Sequence, residues 1–98
     1  MQYLVLAYDN DDDGAQERRM ESREAHIKLI SEYKEKGNMI MGAALLDDDG
    51  NMIGSSIIVD FPSEDELHEW LEKEPYVLND VWGEANIMPC AVAPSFVK

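Results

Sequence analysis

Residues 38–66 read NMIMGAALLDDDGNMIGSSIIVDFPSEDE, and this stretch decides the fold. Asn38–Leu46 and Asn51–Phe61 are apolar, strand-like runs, and Asp47–Gly50 between them is a turn. Asp49-Gly50 is a favoured hairpin pair, so the two runs are expected to pair antiparallel. Pro62 then breaks the sheet. Ser63-Glu64-Asp65-Glu66 has the form of a capping box, with Ser63 as N-cap and Glu66 three residues later, so a helix starts there. Working outward, Gln2–Tyr8 is another strand and Asp9–Gly14 an acidic turn. A helix follows and stops at Gly37, a natural C′ residue. The second helix runs to about Lys73 and ends before Pro75. Val81–Ala93 supplies a fourth strand, closed by Pro94. The order βαββαβ predicts an α+β, ferredoxin-like sandwich, an antiparallel sheet with two helices on one face. No linker or low-complexity tract divides the chain, so residues 1–98 are expected to form a single domain.

The 98 residues carry 21 acidic and 8 basic side chains, a net charge of −13. Phosphate contacts need clustered Lys and Arg, so nucleic acid is not an expected partner, nor is an anionic membrane surface. No apolar run approaches the ~20 residues a membrane span needs. The chain opens directly on a strand without a basic leader, and its one cysteine, Cys90, cannot form an internal disulfide. A cytoplasmic protein is expected. Arg18, Arg19 and Arg23 form a local basic patch near a helix start, which leaves room for a small anionic substrate.

Sheet patterning carries a further expectation. Both alternating faces of Gln2–Tyr8 are apolar. In the second strand Met39, Met41, Ala43 and Leu45 are expected to point one way, and Ile40, Ala44 and Leu46 the other. The helices cover one face only, so the other needs a cover, and a homodimer through the sheet face supplies it.

Two ionisable residues stand out. Within Met20–Lys36, Leu29, Ile30 and Tyr33 define an inward stripe, and counting back by fours gives His26 and then Ser22. In the second helix Leu67, Trp70 and Leu71 set the inner face, and Glu74 is the next position on it. Side-by-side helices can bring His26 and Glu74 together. An imidazole can accept a proton, and an adjacent carboxylate can fix its tautomer. The same pair could equally be a hydrogen-bonded core histidine.

The other candidates are weaker. Ser22 could hydrogen-bond His26 or a ligand, and one of Ser55 and Ser56 must face the helices. His68 is expected at the surface, and Trp70 and Trp82 in the core. Asp9-Asn10-Asp11-Asp12-Asp13-Gly14 opens like a calcium loop, but its twelfth position is Met20 rather than a bidentate Glu. No metal site is expected. Cys90 has no basic neighbour to activate it. The chain lacks a nucleophile elbow and a glycine-rich phosphate loop, so no cofactor is expected.

With these residues in view, the whole chain resembles the YciI-like (YCII-related) family of small bacterial proteins. The resemblance rests on Arg23-Glu24-Ala25-His26, on Gly42, on Gly54-Ser55, and on Glu74-Pro75-Tyr76-Val77. It implies a ferredoxin-like fold dimerised as an α+β barrel, with His26 and Glu74 at the active site and Arg23 and Tyr76 beside them. The sequence departs from the family in having Glu74 where an Asp is usual, and Asp80 where a Gly often follows. Family members with known chemistry suggest small aromatic or lactone-like substrates. The expected function is therefore cofactor-free proton transfer of the lyase or isomerase type, with Ser22, Arg23, Ser55 and Tyr76 contacting substrate. The alternative is a non-catalytic dimeric module that binds a small metabolite.

Overall fold

Four strands carry the architecture, and the computed structural model describes residues 1–96. Their order along the chain, with the helices, is β1 (Gln2–Asp9), α1 (Ala15–Glu35), β2 (Met39–Leu46), β3 (Met52–Asp60), α2 (Glu64–Leu71), α3 (Pro75–Leu78) and β4 (Trp82–Cys90), with a 3₁₀ turn at Pro94–Phe96. The strands form one antiparallel sheet in the order β2-β3-β1-β4. This is the expected βαββαβ topology with one addition, the short α3. One core cluster joins the elements; positions 97 and 98 of the expected domain lie outside the described residues. Among the described residues no helix is long and apolar enough to cross a membrane.

Odd positions of β1 face the helices. Tyr3, Val5 and Ala7 are buried, and beside them β3 contributes Ile57 and Val59. Tyr33 from α1, Leu67 and Trp70 from α2, and Tyr76 from α3 close over this face. Burying a side chain such as Leu67 stabilises the fold by roughly 1.5–3 kcal/mol relative to leaving it exposed. The opposite face is also apolar and uncovered: Tyr8, Met41 and Met88 are exposed large side chains there.

The second strand departs from the expected alternation. Met39 pairs with Val59 but Met41 with Ile58, so a bulge at Ile40 puts Met39 and Met41 on opposite faces. Met39 is buried in the core, whereas Met41 faces outward.

The ends of the elements follow local chemistry. Gly37, at φ 86°, ends α1 in a Schellman motif, with Gly37 N–H donating to the Lys34 carbonyl and Asn38 N–H to that of Tyr33. Ser63 accepts the Glu66 amide as the N-cap of α2. The β2–β3 turn closes around Asp47, whose carboxylate accepts the Asp49 and Asn51 amides, and Gly50 takes φ 85°. α2 stops at Leu71, short of the expected Lys73. Glu74 therefore lies outside it, as the N-cap of α3, with Pro75 in the first turn, where a missing N–H is harmless.

Asp80 has φ 55°, the left-handed conformation that glycine adopts freely. That accounts for the Gly expected near this position. Aspartate is among the residues that tolerate this region best. The Asp80 carbonyl accepts bonds from Asn10 and Arg18 and so ties the acidic turn to the α3–β4 connection.

Candidate active site

α1 lies along the inner face with a stripe of polar side chains directed at the sheet. Arg19, Ser22, His26 and Tyr33 fall on this stripe, and Arg19, Ser22 and Tyr33 are buried. His26 is partly exposed, and its Nδ1 bonds the Oε1 of Glu74. Glu74 is completely buried. An ionised carboxylate only accepts, so opposite an ionised Glu74 a neutral His26 ring would carry its proton on Nδ1 and present Nε2 without one. The Glu74 Oε1 also accepts the Tyr76 amide at 3.4 Å, while Oε2 has no hydrogen-bond partner among the described residues.

Aromatic rings fix the imidazole. Tyr76 stacks on it with centroids 3.9 Å apart and planes 12° from parallel. Trp82 meets it edge-on at 6.3 Å. Burial pushes the Tyr76 phenol above its ordinary 10.0, so it stays protonated at neutral pH.

Behind these rings lies a second polar assembly. Arg19 is 2% exposed, and its Nη1 donates to both oxygens of Asp9 at 2.8 and 3.0 Å. Its Nη2 donates to Ser55 Oγ at 3.1 Å, and the guanidinium lies 4.8 Å from the Tyr76 ring centroid. Trp82 Nε1 donates to the same Ser55 oxygen at 3.1 Å. Burial pushes the Asp9 carboxyl above its ordinary value, and Arg19 pulls it back. One guanidinium nitrogen thus bridges both oxygens of this carboxylate, a charge-assisted contact.

A cleft of about 330 Å³ opens between α1 and the β2–β3 strands. His26, Tyr76, Ser55, Arg19 and Arg23 line it, and Gly42 and Ala44 of β2 form part of its wall. A Cβ on Gly42 would come no closer than 3.8 Å to any neighbour, so the glycine leaves the cleft wide rather than relieving a clash.

Of the residues expected at the site, His26, Glu74 and Tyr76 are in direct contact, Ser55 is joined to them through Trp82 and Arg19, and Arg23 lines the same cleft. Ser22 is placed elsewhere: its hydroxyl accepts from Asn79 Nδ2 at 3.0 Å, tying α1 to the end of α3, away from the cleft lining. Glu74 meets His26 from the cap of α3, not from α2 as expected. The basic patch divides, because Arg18 turns to Asp12 with two bonds of 2.7 Å and Arg19 turns inward. Arg19 and Asp9 are the residues that the sequence reading missed. Arg19 lies seven residues before His26 on the same stripe, and Asp9 continues the Tyr3, Val5, Ala7 alternation. Cys90 is half-buried on β4, His68 is exposed, and Asp9 and Asp12 are engaged by arginines.

An antiparallel βαββαβ sheet, with a histidine–carboxylate pair on a cleft under its first helix, defines a small α+β protein of ferredoxin-like topology. The YCII-related domain matches residues 1–91, and the chain belongs to that family. It is 25% identical over 95 residues to Protein YciI of Escherichia coli O6:H1 strain CFT073, covering 91% of this chain and 95% of that protein. Protein YciI of Shigella flexneri matches at the same identity and coverage. Among solved structures, the 5-chloro-2-hydroxyhydroquinone dehydrochlorinase TftG of Burkholderia phenoliruptrix AC1100, in complex with 2,5-dihydroxybenzoquinone, has the same fold. Its TM-score is 0.80 at 22% identity, over 97% of this chain and 98% of that one.

Proposed function

We propose that this protein is a cofactor-independent enzyme that moves a proton on a small organic substrate, in an elimination or an isomerisation. The observation that carries this reading is the wholly buried Glu74, whose Oε1 sits on the Nδ1 of a histidine at the cleft wall. With Nδ1–H held by the carboxylate, the bare Nε2 is free to take a proton from carbon or oxygen and return it. The carboxylate stabilises the imidazolium in between. The stacked Tyr76 holds the ring plane. A dehydrochlorinase of the same fold supports this class of chemistry, since loss of HCl from carbon begins with a basic group taking a proton.

The reading includes a homodimer through the outer sheet face. The exposed Tyr8, Met41 and Met88 are what supports it, because a second copy would remove this surface from water. The reading includes a reducing cytoplasm, which the lone cysteine, Cys90, suits.

The test is a set of small lactones and hydroxylated or halogenated quinols, followed by ¹H NMR in D₂O with the wild type, His26→Gln and Glu74→Gln. The expected result is substrate turnover or deuterium uptake that His26→Gln reduces by about 10²–10⁴-fold, the usual contribution of a positioned acid–base group. Turnover retained by His26→Gln contradicts the assignment. Saturable thermal stabilisation by a compound that is never changed would mark a binding module instead.

A further inference from the structure

The charges of this chain are sorted. Net charge is −13, yet Arg19, Arg23 and Lys34 line the cleft and no Asp or Glu does. Arg19 is matched by Asp9, but Arg23 and Lys34 make no salt bridge among the described residues. Two uncompensated cations therefore face the cleft of an acidic protein.

Ser55 gives this field a direction. The residue is 4% exposed, and its oxygen accepts from Arg19 Nη2 and from Trp82 Nε1, two groups that can only donate. Both lone pairs of the hydroxyl are thus occupied. Its one remaining hydrogen-bonding capacity is the O–H itself, which has no acceptor among the described residues. Ser55 lines the cleft, so that hydrogen is available to a ligand. A hydroxyl that accepts from a guanidinium is polarised and becomes a stronger donor. Trp82 links this donor to the proton-transfer pair, since it bonds Ser55 through Nε1 and meets the His26 ring with its edge.

We propose that the ligand of this cleft is a small organic oxyanion, its charged oxygen accepting the Ser55 O–H in the field of Arg23 and Lys34. The proposal deepens the proton-transfer reading and rests on it for placing His26 beside the bound molecule. A neutral molecule of the same shape would leave two cations without a partner and is disfavoured. A carboxylate and a phenolate offer the same chemistry to Ser55.

Benzoate, para-nitrophenolate and neutral benzamide separate the cases, each titrated into ¹⁵N-labelled wild type with chemical shifts as the readout. Either anion is expected to saturate with shifts at Ser55, Arg23 and His26 while benzamide does not, and the tighter anion identifies the oxygen recognised. Arg23→Gln and Ser55→Ala should each weaken the anion by about tenfold, comparable with one charge-assisted hydrogen bond. Affinity should also fall with added salt, because Arg23 and Lys34 are solvent-facing. Ser55→Ala leaves two buried donors unpaired and can unfold the chain; Arg23→Gln, at an exposed position, then decides alone. Benzamide binding as well as benzoate, no saturation by either anion, or an unchanged affinity in Arg23→Gln overturns the proposal. Selective anion binding in a protein whose His26 tautomer ignores Glu74 would sink the proton-transfer pair alone. Loss of anion selectivity with the pair intact would sink this inference alone.

Discussion

Glu74 caps α3 and holds His26 with the same carboxylate oxygen. One group thus contacts both the start of a helix and a ring on another helix. The arrangement explains how a glutamate stands where an aspartate was expected. An aspartate at an N-cap reaches the amide two residues on, and the extra methylene of Glu74 still allows that bond while reaching across to α1.

Glu74→Asp should therefore separate the two roles. The cap survives, so stability is expected to stay within about 1 kcal/mol of wild type, as for a tolerated capping exchange. The contact with His26 is lost or lengthened, and turnover is expected to fall by at least tenfold. Thermal unfolding alongside the D₂O assay measures both. A variant as active as wild type would show that the carboxylate's reach does not matter.

Gly54 is required by close approach. A Cβ there would lie 2.7 Å from the Ala7 carbonyl oxygen and 2.9 Å from a Leu45 methyl. Backbone on one side cannot yield without parting β1 from β3, next to Ser55. Gly54→Ala is expected to cost about 1–3 kcal/mol, the range for overpacking a filled interior. Urea unfolding checks it; an unchanged midpoint would mean that the strands shift freely.

The acidic turn contributes a pH-dependent clamp. Arg18 bonded to both Asp12 oxygens holds that carboxyl at about 2, below its ordinary 3.8. A depressed folded-state value stabilises the protein above pH ~3.8, and the contribution is lost as pH falls toward about 2. Wild type should thus be more stable than Asp12→Asn at neutral pH, by a small margin because the pair is exposed. The difference should vanish at the acid end. Denaturant midpoints of the two proteins across this range provide the measurement, and a difference that grows on acidification would contradict the assignment.

The outer sheet face yields a prediction about assembly. Tyr8→Asp or Met41→Asp places a charge on the proposed contact face at an exposed position outside the buried core. Light scattering on the eluting wild type is expected to give twice the chain mass, and either variant the mass of one chain. A monomeric wild type would mean that the apolar face stays open to water.

Much of this was legible in the sequence because it follows from short-range rules. The hairpin, the Ser63 cap, the Gly37 stop and the His26 stripe depend on neighbours within one turn or one register position. What escaped depends on contacts made across the chain. Arg19 reads as a surface cation until Asp9 and Ser55, ten and 36 residues away, are seen to receive it. The bulge at Ile40 leaves no mark in a run of apolar residues, so the alternation through Met39 and Met41 misled. Glu74 was found for a partly mistaken reason. Helix periodicity carried it past the end of α2, whereas Glu74-Pro75 is itself a helix start, with Pro in the first turn.

The central claim is that Glu74 sets the tautomer of His26 and leaves Nε2 bare for chemistry. The most direct measurement is the ring ¹⁵N spectrum of His26 in its neutral form, in wild type and in Glu74→Gln. The account predicts a ring protonated on Nδ1 in the wild type, and a redistribution toward the Nε2–H form when the carboxylate becomes an amide. A ring protonated on Nε2 in the wild type, or a pattern identical in both proteins, would contradict it.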